Sequence, residues 1–537
     1  MDAYRLGIDV GGTNTDAVIL DDDDEPIVRT KTPTTEDITT GIVNALDDVL
    51  EAGVADVDEI GYVMLGTTHA TNAITERRGL NEIGVLRLGA PATLSVRPLL
   101  EWPDDLAAAV GNNVAVIDGG FEFDGRVLND LDEDEVREQI NAFSHVDTFA
   151  VVGVFSPVRD EQEQRVTEII HEEFGEDFPV SRSHEIGSIG LLERENATAL
   201  NAALTSVAEE AAMAFLDAMD ERNIDARLYF GQNDGTLMDL QYAIEYPIFT
   251  VASGPSNSVR GAAYLSGVED GIIVDVGGTT TDVGALSNGF PRESSVAVEI
   301  GEVKTNFRMP DLLTVGIGGG SKVSTNGDEP AADDRGDDRS EDPGDGRSEG
   351  RVTVGPESVG YQLTEKARCF GGHVLTATDL EVAAGRVDIG DYEPIVDDSV
   401  VEGARAYVAS EIERAVDRMK TSPEPVPVIV VGGGSFLVPD DLSVAVDVRK
   451  PNHYEVANAV GVAIAKVSGQ VDRLYSLDDM AREEALDDAK SRATRRAIDA
   501  GAAEESIEIV DVEEVPLSYL PGNAVRMKVT AAGALAH

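Results

Sequence analysis

Apolar and polar positions along the chain follow two rhythms. Arg5–Leu20 (RLGIDVGGTNTDAVIL) and Gly271–Leu286 (GIIVDVGGTTTDVGAL) are apolar runs of strand length broken by a glycine- and threonine-rich tip, which predicts a β-hairpin at each place. YVMLG (Tyr62–Gly66) and PVPVIVV (Pro425–Val431) read as buried strands. By contrast, DITTGIVNALDDVLEAG (Asp37–Gly53) spaces its apolar residues three and four apart with Asp and Glu opposite, the pattern of an amphipathic surface helix. Strands and helices alternate, so the expected class is α/β with mixed sheets. At 537 residues the chain exceeds what one core holds. The expected organisation is a first lobe over 1–190, a second over 191–470, and a small α+β tail over 471–537. The tail would comprise a helix (Ser476–Ala500) and two strand-like runs, SIEIVDVEEVPLSYL and AVRMKVTAAGAL. Within the second lobe, 326–351 is rich in Asp, Gly and Pro and nearly free of apolar residues, and is expected to be a disordered insertion.

The two hairpins are copies of one motif. Asp9–Asp16 and Asp275–Asp282 both read DVGGT-x-TD and differ only at Asn14 against Thr280. Their recurrence 266 positions apart (275 − 9) predicts duplicated halves that face each other. Adjacent glycines, Gly11–Gly12 and Gly277–Gly278, let backbone N–H groups form a nest for phosphate oxygens. Thr13 and Thr15, with Thr279, Thr280 and Thr281, add hydroxyl donors. Asp9 and Asp275 end their strands at the loop, where a carboxylate holds Mg²⁺ directly or through water. Asp16 and Asp282 read either as groups orienting water or ligand or as hydrogen-bonded structural carboxylates. One copy alone is no more than a glycine-rich turn; the pair points to a nucleotide held between two lobes. Neither a G-x-x-x-x-G-K-[ST] loop nor a Rossmann G-x-G-x-x-G is present.

Two further glycine clusters follow strands. Gly432, Gly433 and Gly434 offer a side-chain-free surface for adenosine, or a tight turn. Gly316 and Gly318–Gly320 are expected on the substrate or γ-phosphate side, with Gly318 and Gly319 as contacts. Thr67, Thr68, His69, Thr71 and Asn72 close a strand and open a helix, which suits a carbonyl or carboxylate ligand or simple capping. Arg194 is placed to clamp a substrate carboxylate or to form a structural ion pair.

Charge narrows the partners. The chain carries 101 acidic and 42 basic residues, a net charge of −59. That balance disfavours nucleic acid and anionic membrane, and its spread along the chain reads as adaptation to a salt-rich cytoplasm. No apolar stretch reaches the ~20 residues of a membrane span. The opening residues run straight into a strand without a basic, cleavable leader, and the single cysteine, Cys369, has no internal partner. The expected location is the cytoplasm.

The residues resemble the hydantoinase A/5-oxoprolinase family, ATP-dependent cyclic-amide hydrolases within the actin-like ATPase superfamily. The resemblance is carried in order by GIDVGGTNTDAV, LGTTHATNAI, SHEIG, ERENATALNA, SGPSNSVRGA, DVGGTTTDV, TVGIGGGSKV, VGPESVGYQLTEKA and LTATD. It implies a bilobal actin-like/sugar-kinase (ribonuclease H-like) fold that binds ATP and Mg²⁺, with K⁺ as a further cation. It also implies phosphorylation of an amide carbonyl oxygen before ring opening, and a second hydantoinase subunit in an oligomer. Asp9, Asp275, Asp16 and Asp282 would then be catalytic. Two other functional classes fit the same loops: an ATPase subunit that energises a partner enzyme, and a small-molecule kinase. Leu313 stands where many relatives place a histidine, which bears on the identity of the ring.

Overall fold

The computed structural model describes residues 4–34, 38–52, 57–294, 298–306, 309–325, 352–478, 480–517 and 523–536. The acidic insertion expected over 326–351 lies outside the described residues.

The hairpin reading holds at residue level. Tyr4–Val10 pairs antiparallel with Asn14–Leu20, bringing Asp9 opposite Asp16, and Gly271–Val276 pairs with Thr281–Ser287, bringing Asp275 opposite Asp282. Both turns close on the same backbone bond, Gly11 N to Asn14 O at 3.0 Å and Gly277 N to Thr280 O at 2.9 Å. Each first strand then takes a parallel neighbour on its other side: Ile60–Thr67, with Asp9 beside Gly66, and Val426–Val431, with Asp275 beside Val431. The duplication therefore extends past the loops. Gly66 occupies in the first half the place of Val431, the last strand residue before the GGG turn, in the second.

Around the first hairpin grows a nine-stranded sheet, ordered Glu508–Pro516, Ala524–Gly533, Val467–Ser476, Leu237–Asp239, Arg227–Gly231, Ile60–Thr67, Tyr4–Val10, Asn14–Leu20 and Pro26–Pro33. Around the second, Phe290–Pro291, Thr281–Ser287, Gly271–Val276, Val426–Val431 and Ala445–Arg449 form the main path, with Leu312–Val315 paired to Thr281–Ser287. A separate all-parallel sheet of Asn113–Asp118, Ile83–Ala90, Thr148–Gly153 and Val180–Arg182 stands between the first and second strand groups in the chain. Its central strand is tied to the long helix Leu191–Glu221 by Arg87, whose guanidinium grips Glu195 at 2.6 and 2.7 Å with both side chains fully buried.

This topology corrects the boundaries read from sequence. The expected cut near 470 falls inside the strand Val467–Ser476, which pairs with Ala524–Gly533 along its whole length. The described residues beyond 470 have the expected α+β content but form no separate tail: their strands Glu508–Pro516 and Ala524–Gly533 complete the nine-stranded sheet. Residues 227–239, assigned to the second lobe, also belong to that sheet. The physical reason is burial. Helix Arg482–Asp499 carries a stripe of buried alanines at four-residue spacing, Ala485, Ala489, Ala493 and Ala497, which brings it close onto the strand at Gly469. Among the described residues no helix is long and apolar enough to cross a membrane.

Two helices, Ser253–Ser266 and Ala457–Ala463, lie between the two large sheets and touch at glycines. A methyl group at Gly261 would meet Ala457 O at 1.7 Å, and one at Gly461 would meet Asn257 O at 1.9 Å. This close crossing lets one helix pair serve both hairpins.

Candidate functional site

The two hairpin tips face each other. Thr13 Oγ1 stands 3.4 Å from Thr279 Oγ1, and the Cα of Gly278 lies directly under the Thr13 side chain. Gly11, Gly12, Gly277 and Gly278 are at least partly exposed at this junction, as is Thr280. Thr15, expected to contribute a hydroxyl, does not reach it. It is fully buried and its Oγ1 meets Thr34 Oγ1 at 3.3 Å. Its counterpart Thr281 is likewise buried and donates to Ile317 O at 2.6 Å. In each DVGGT-x-TD motif the first threonine sits at the tip and the last one anchors the hairpin base.

Behind the tips lie the aspartates. Asp9 is buried and accepts from Asn257 Nδ2 at 3.0 Å and Asn458 Nδ2 at 2.8 Å, one from each interlobe helix. Asp275 is partly buried and accepts from Ser258 Oγ at 2.5 Å. Burial pushes both carboxyls up to about 6, against the help of these donors, with the neighbouring carboxylates Asp16 and Asp282 adding to the rise. Burial also raises Asp282, which accepts from Thr314 Oγ1 at 2.6 Å. Asp16 instead pairs with Lys31, whose Nζ lies 2.5 and 2.8 Å from its two oxygens.

These oxygens fit Mg²⁺. Two desolvated carboxylates at facing loops lack a compensating cation of their own apart from Lys31, and Asn257 Oδ1 is a buried acceptor without a partner among the described residues. Among those residues no group of three or more His, Cys, Asp or Glu forms a metal cage. A metal at this place would thus draw its remaining ligands from water and phosphate, as Mg²⁺ does at nucleotide sites.

Lys31 and the asparagines were not singled out by sequence. For Lys31 a signal existed: the third strand follows the first hairpin after a short acidic turn, and its register sets Lys31 opposite Asp16. Asn257 lies inside the SGPSNSVRGA stretch without a distinguishing mark, and nothing around Asn458 sets it apart from any helical asparagine.

Gly432–Gly434 belongs to the site. Gly432, at φ +85°, lies so close to Asp275 that a methyl group would come within 2.2 Å of Oδ1, while Gly433 faces Lys31 Cε and Gly434 donates to Val276 O at 2.7 Å. Gly318 and Gly319 differ from expectation. They are buried and stacked on the second loop's backbone, with Gly319 N donating to Gly277 O at 3.0 Å, so they back the loop rather than line a substrate surface.

Thr67, Thr68 and His69 sit beside the first loop, but both threonine hydroxyls are engaged within the chain. Thr67 Oγ1 accepts from His69 N at 3.1 Å and Thr68 Oγ1 donates to Val10 O at 3.3 Å. Asn72 is exposed on the following helix. Arg194 is no carboxylate clamp: it is fully buried and donates to Ser183 Oγ, Ser188 O, Ile189 O and Gly153 O at 2.6–3.0 Å. Desolvation lowers it to about 10, the cost of serving as an internal brace.

Known proteins agree with this architecture. The model of the hydantoinase/oxoprolinase N-terminal region matches residues 5–174, and that of hydantoinase/oxoprolinase matches residues 194–333. The acetophenone carboxylase gamma subunit of Aromatoleum aromaticum is 27% identical over 419 residues, covering 72% of this chain and 54% of the relative. The caprolactamase subunit alpha of Pseudomonas jessenii is 25% identical over 449 residues, covering 77% and 60%. The chain thus spans about half to three-fifths of the length of these curated relatives. The crystal structure of the ATP-dependent caprolactamase from Pseudomonas jessenii superposes with a TM-score of 0.72 at 20% identity, covering 99% of this chain and 87% of that one. Nucleotide-free acetone carboxylase gives a TM-score of 0.68 at 16% identity, covering 100% and 88%. With facing glycine–threonine hairpins on duplicated α/β halves and both family models matched in order, the chain belongs to the hydantoinase/oxoprolinase family.

Proposed function

We propose that this chain binds ATP-Mg²⁺ between its two hairpin tips and uses it to activate the carbonyl of a cyclic amide for ring opening. The observation that carries this reading is the approach of Thr13 and Thr279 to 3.4 Å, with Asp9 buried and Asp275 partly buried behind them. Phosphoryl transfer requires positioning and charge neutralisation more than covalent chemistry. In this reading the loop N–H groups of Gly11, Gly12, Gly277 and Gly278 and the hydroxyls of Thr13, Thr279 and Thr280 hold phosphate oxygens. Asp9 and Asp275 serve Mg²⁺, Lys31 holds Asp16 in place through both its oxygens, and Gly432–Gly434 leaves room for the nucleoside. An unactivated amide is a poor electrophile; a phosphate on its oxygen makes the carbon open to attack.

A second reading is favoured by the relatives themselves. Those matched include subunits of carboxylases, and the match covers about half of their length. In that reading the same loops serve a carboxylase-type enzyme together with a partner subunit. Purified chain with ATP-Mg²⁺ and a panel of lactams and hydantoins, followed by mass spectrometry, separates the two. Ring-opened acid with ADP and phosphate supports the amide reading. Hydrolysis that ignores every ring but rises with a co-purified subunit supports the carboxylase reading, and a stable phosphorylated product would point to a kinase.

A further inference from the structure

A cavity of about 320 Å³ opens beside the nucleotide loops and contains none of their residues. Its walls come from three parts of the chain: Asp160, His184 and Glu185 near the parallel sheet; Gln232, Asn233 and the aromatics Tyr242 and Tyr246; and Gln470, Arg473 and Arg496 from the C-terminal segment. It lies on the same sheet edge as the first phosphate loop. Gly66 is level with Asp9, and since Leu65 pairs with Phe230, Gly231 is level with both. The loop that lines the cavity thus begins two strand spacings from Asp9, about 10 Å away. The carboxyl ends of parallel strands are where α/β sheets place ligands.

Two features inside the cavity are built for chemistry. Asn233 is 4% exposed and its backbone is fixed on both sides, N donating to Phe249 O and O accepting from Ser256 Oγ, yet its amide nitrogen has no acceptor among the described residues. A buried donor left open costs free energy unless a ligand takes it. His184 is held by Glu163, with Nδ1 2.5 Å from Oε2. Glu163 is itself buried and accepts from Gly153 N at 2.6 Å, Ser183 Oγ at 2.5 Å and His184 N at 3.1 Å. The His184 imidazole and these donors hold its carboxyl down to about 2 despite burial. With Nδ1 engaged by Glu163, the other ring nitrogen, Nε2, stands 3.8 Å from Asp160 and 3.9 Å from Glu185, beyond hydrogen-bond range of both. Arg194 braces the same network through Ser183 and Gly153 O.

We infer that this cavity holds the ring substrate, with Asn233 donating to it and His184 Nε2 acting as general base, an inference that rests on the amide reading above. Water oxygen bonds to the phosphorylated carbonyl carbon as its proton passes to Nε2. The C–N bond then breaks and that proton goes to the ring nitrogen, leaving an acyl phosphate that a second water hydrolyses to acid and phosphate. The volume suits a five- to seven-membered ring, and the mixed-charge lining suits a ligand that both donates and accepts.

The test uses the full chain with 2-pyrrolidone, caprolactam, hydantoin and 5-oxoproline. His184→Ala and His184→Asn, the latter keeping a donor toward Glu163, are expected to lower ring-opening kcat by about 100-fold or more with KM little changed. Both are expected to retain the melting shift with ATP-Mg²⁺, and added imidazole is expected to restore part of the activity of His184→Ala. Ring opening within about threefold of the parent in both variants, or a lost melting shift without imidazole rescue, overturns the assignment. Ring binding measured calorimetrically without nucleotide separates this inference from the ATP reading. Binding lost in Asn233→Ala but kept in Asp275→Asn supports the cavity, whereas binding indifferent to Asn233→Ala, or no ring bound by the parent, overturns it. Failure of the parent to bind ATP-Mg²⁺ would sink the proposed function and with it the general-base step, while ring binding lost in Asn233→Ala would still support the cavity as the ring site.

Discussion

At the scale of single residues, the buried carboxyls behind the hairpin tips set a pH dependence of stability. Asp9 and Asp275, both raised to about 6, are more easily protonated in the folded chain than when unfolded. Their contribution to stability is therefore fully present below the unfolded value near 4 and is lost as pH rises through 6. For Asp9 that loss is on the order of 2–3 kcal/mol. The metal-free Asp9→Asn protein is expected to melt a few degrees higher than the parent at pH 8 and no higher at pH 4. Equal melting of the two proteins at both pH values would remove desolvation as the cause. Mg²⁺-dependent nucleotide affinity is expected to climb through pH 6 and level off above it, because protons and metal compete for the same oxygens. Much at this scale was legible in the sequence. The doubled motif put both aspartates on paired strands and the glycines at the tips, where the structure has them, since a motif repeated within one chain marks positions by comparison with itself. Thr15 turned inward, Gly318 and Gly319 stack on the second loop, and Arg194 took the structural one of its two readings, because a local pattern does not say which way a residue faces.

At the scale of elements, the interlobe helix pair is what the sequence did not disclose. Ser253–Ser266 and Ala457–Ala463 lie some two hundred positions apart, yet they deliver Asn257, Ser258 and Asn458 to the two aspartates. Their glycine-to-carbonyl contact is a tertiary fact with no local periodicity behind it. Gly461→Ala puts a methyl group where Asn257 O now stands, within 1.9 Å. We expect the helices to part, stability to fall by about 1–3 kcal/mol, and nucleotide affinity to fall at least tenfold as both asparagines leave Asp9. Urea unfolding and calorimetry on one variant read both effects; a drop in stability with affinity intact would show that the helices support the fold only. The hairpins, by contrast, were read to within a residue of their outer ends, because apolar runs flanking a glycine-rich tip are a local pattern.

For the whole molecule, the lobes were legible and their boundaries were not. Alternating strands and helices announced an α/β chain, and the repeat announced two halves. That the strands Arg227–Gly231, Leu237–Asp239, Val467–Ser476, Glu508–Pro516 and Ala524–Gly533 return to the first sheet is decided by long-range strand pairing, which no local pattern encodes. The charge of −59 acts at this scale as well. Repulsion spread over the surface is screened by salt, so the melting temperature is expected to rise steadily from 0.1 to about 2 M KCl, and a flat profile would refute self-repulsion as a limit on stability. The central claim is that two facing loops hold one ATP-Mg²⁺. Titration calorimetry of the purified chain with ATP in high KCl, with and without Mg²⁺, tests it most directly. The account predicts one Mg²⁺-dependent site per chain that Asp9→Asn and Asp275→Asn each weaken at least tenfold. Absence of binding by the parent, or binding untouched in both variants, would contradict it.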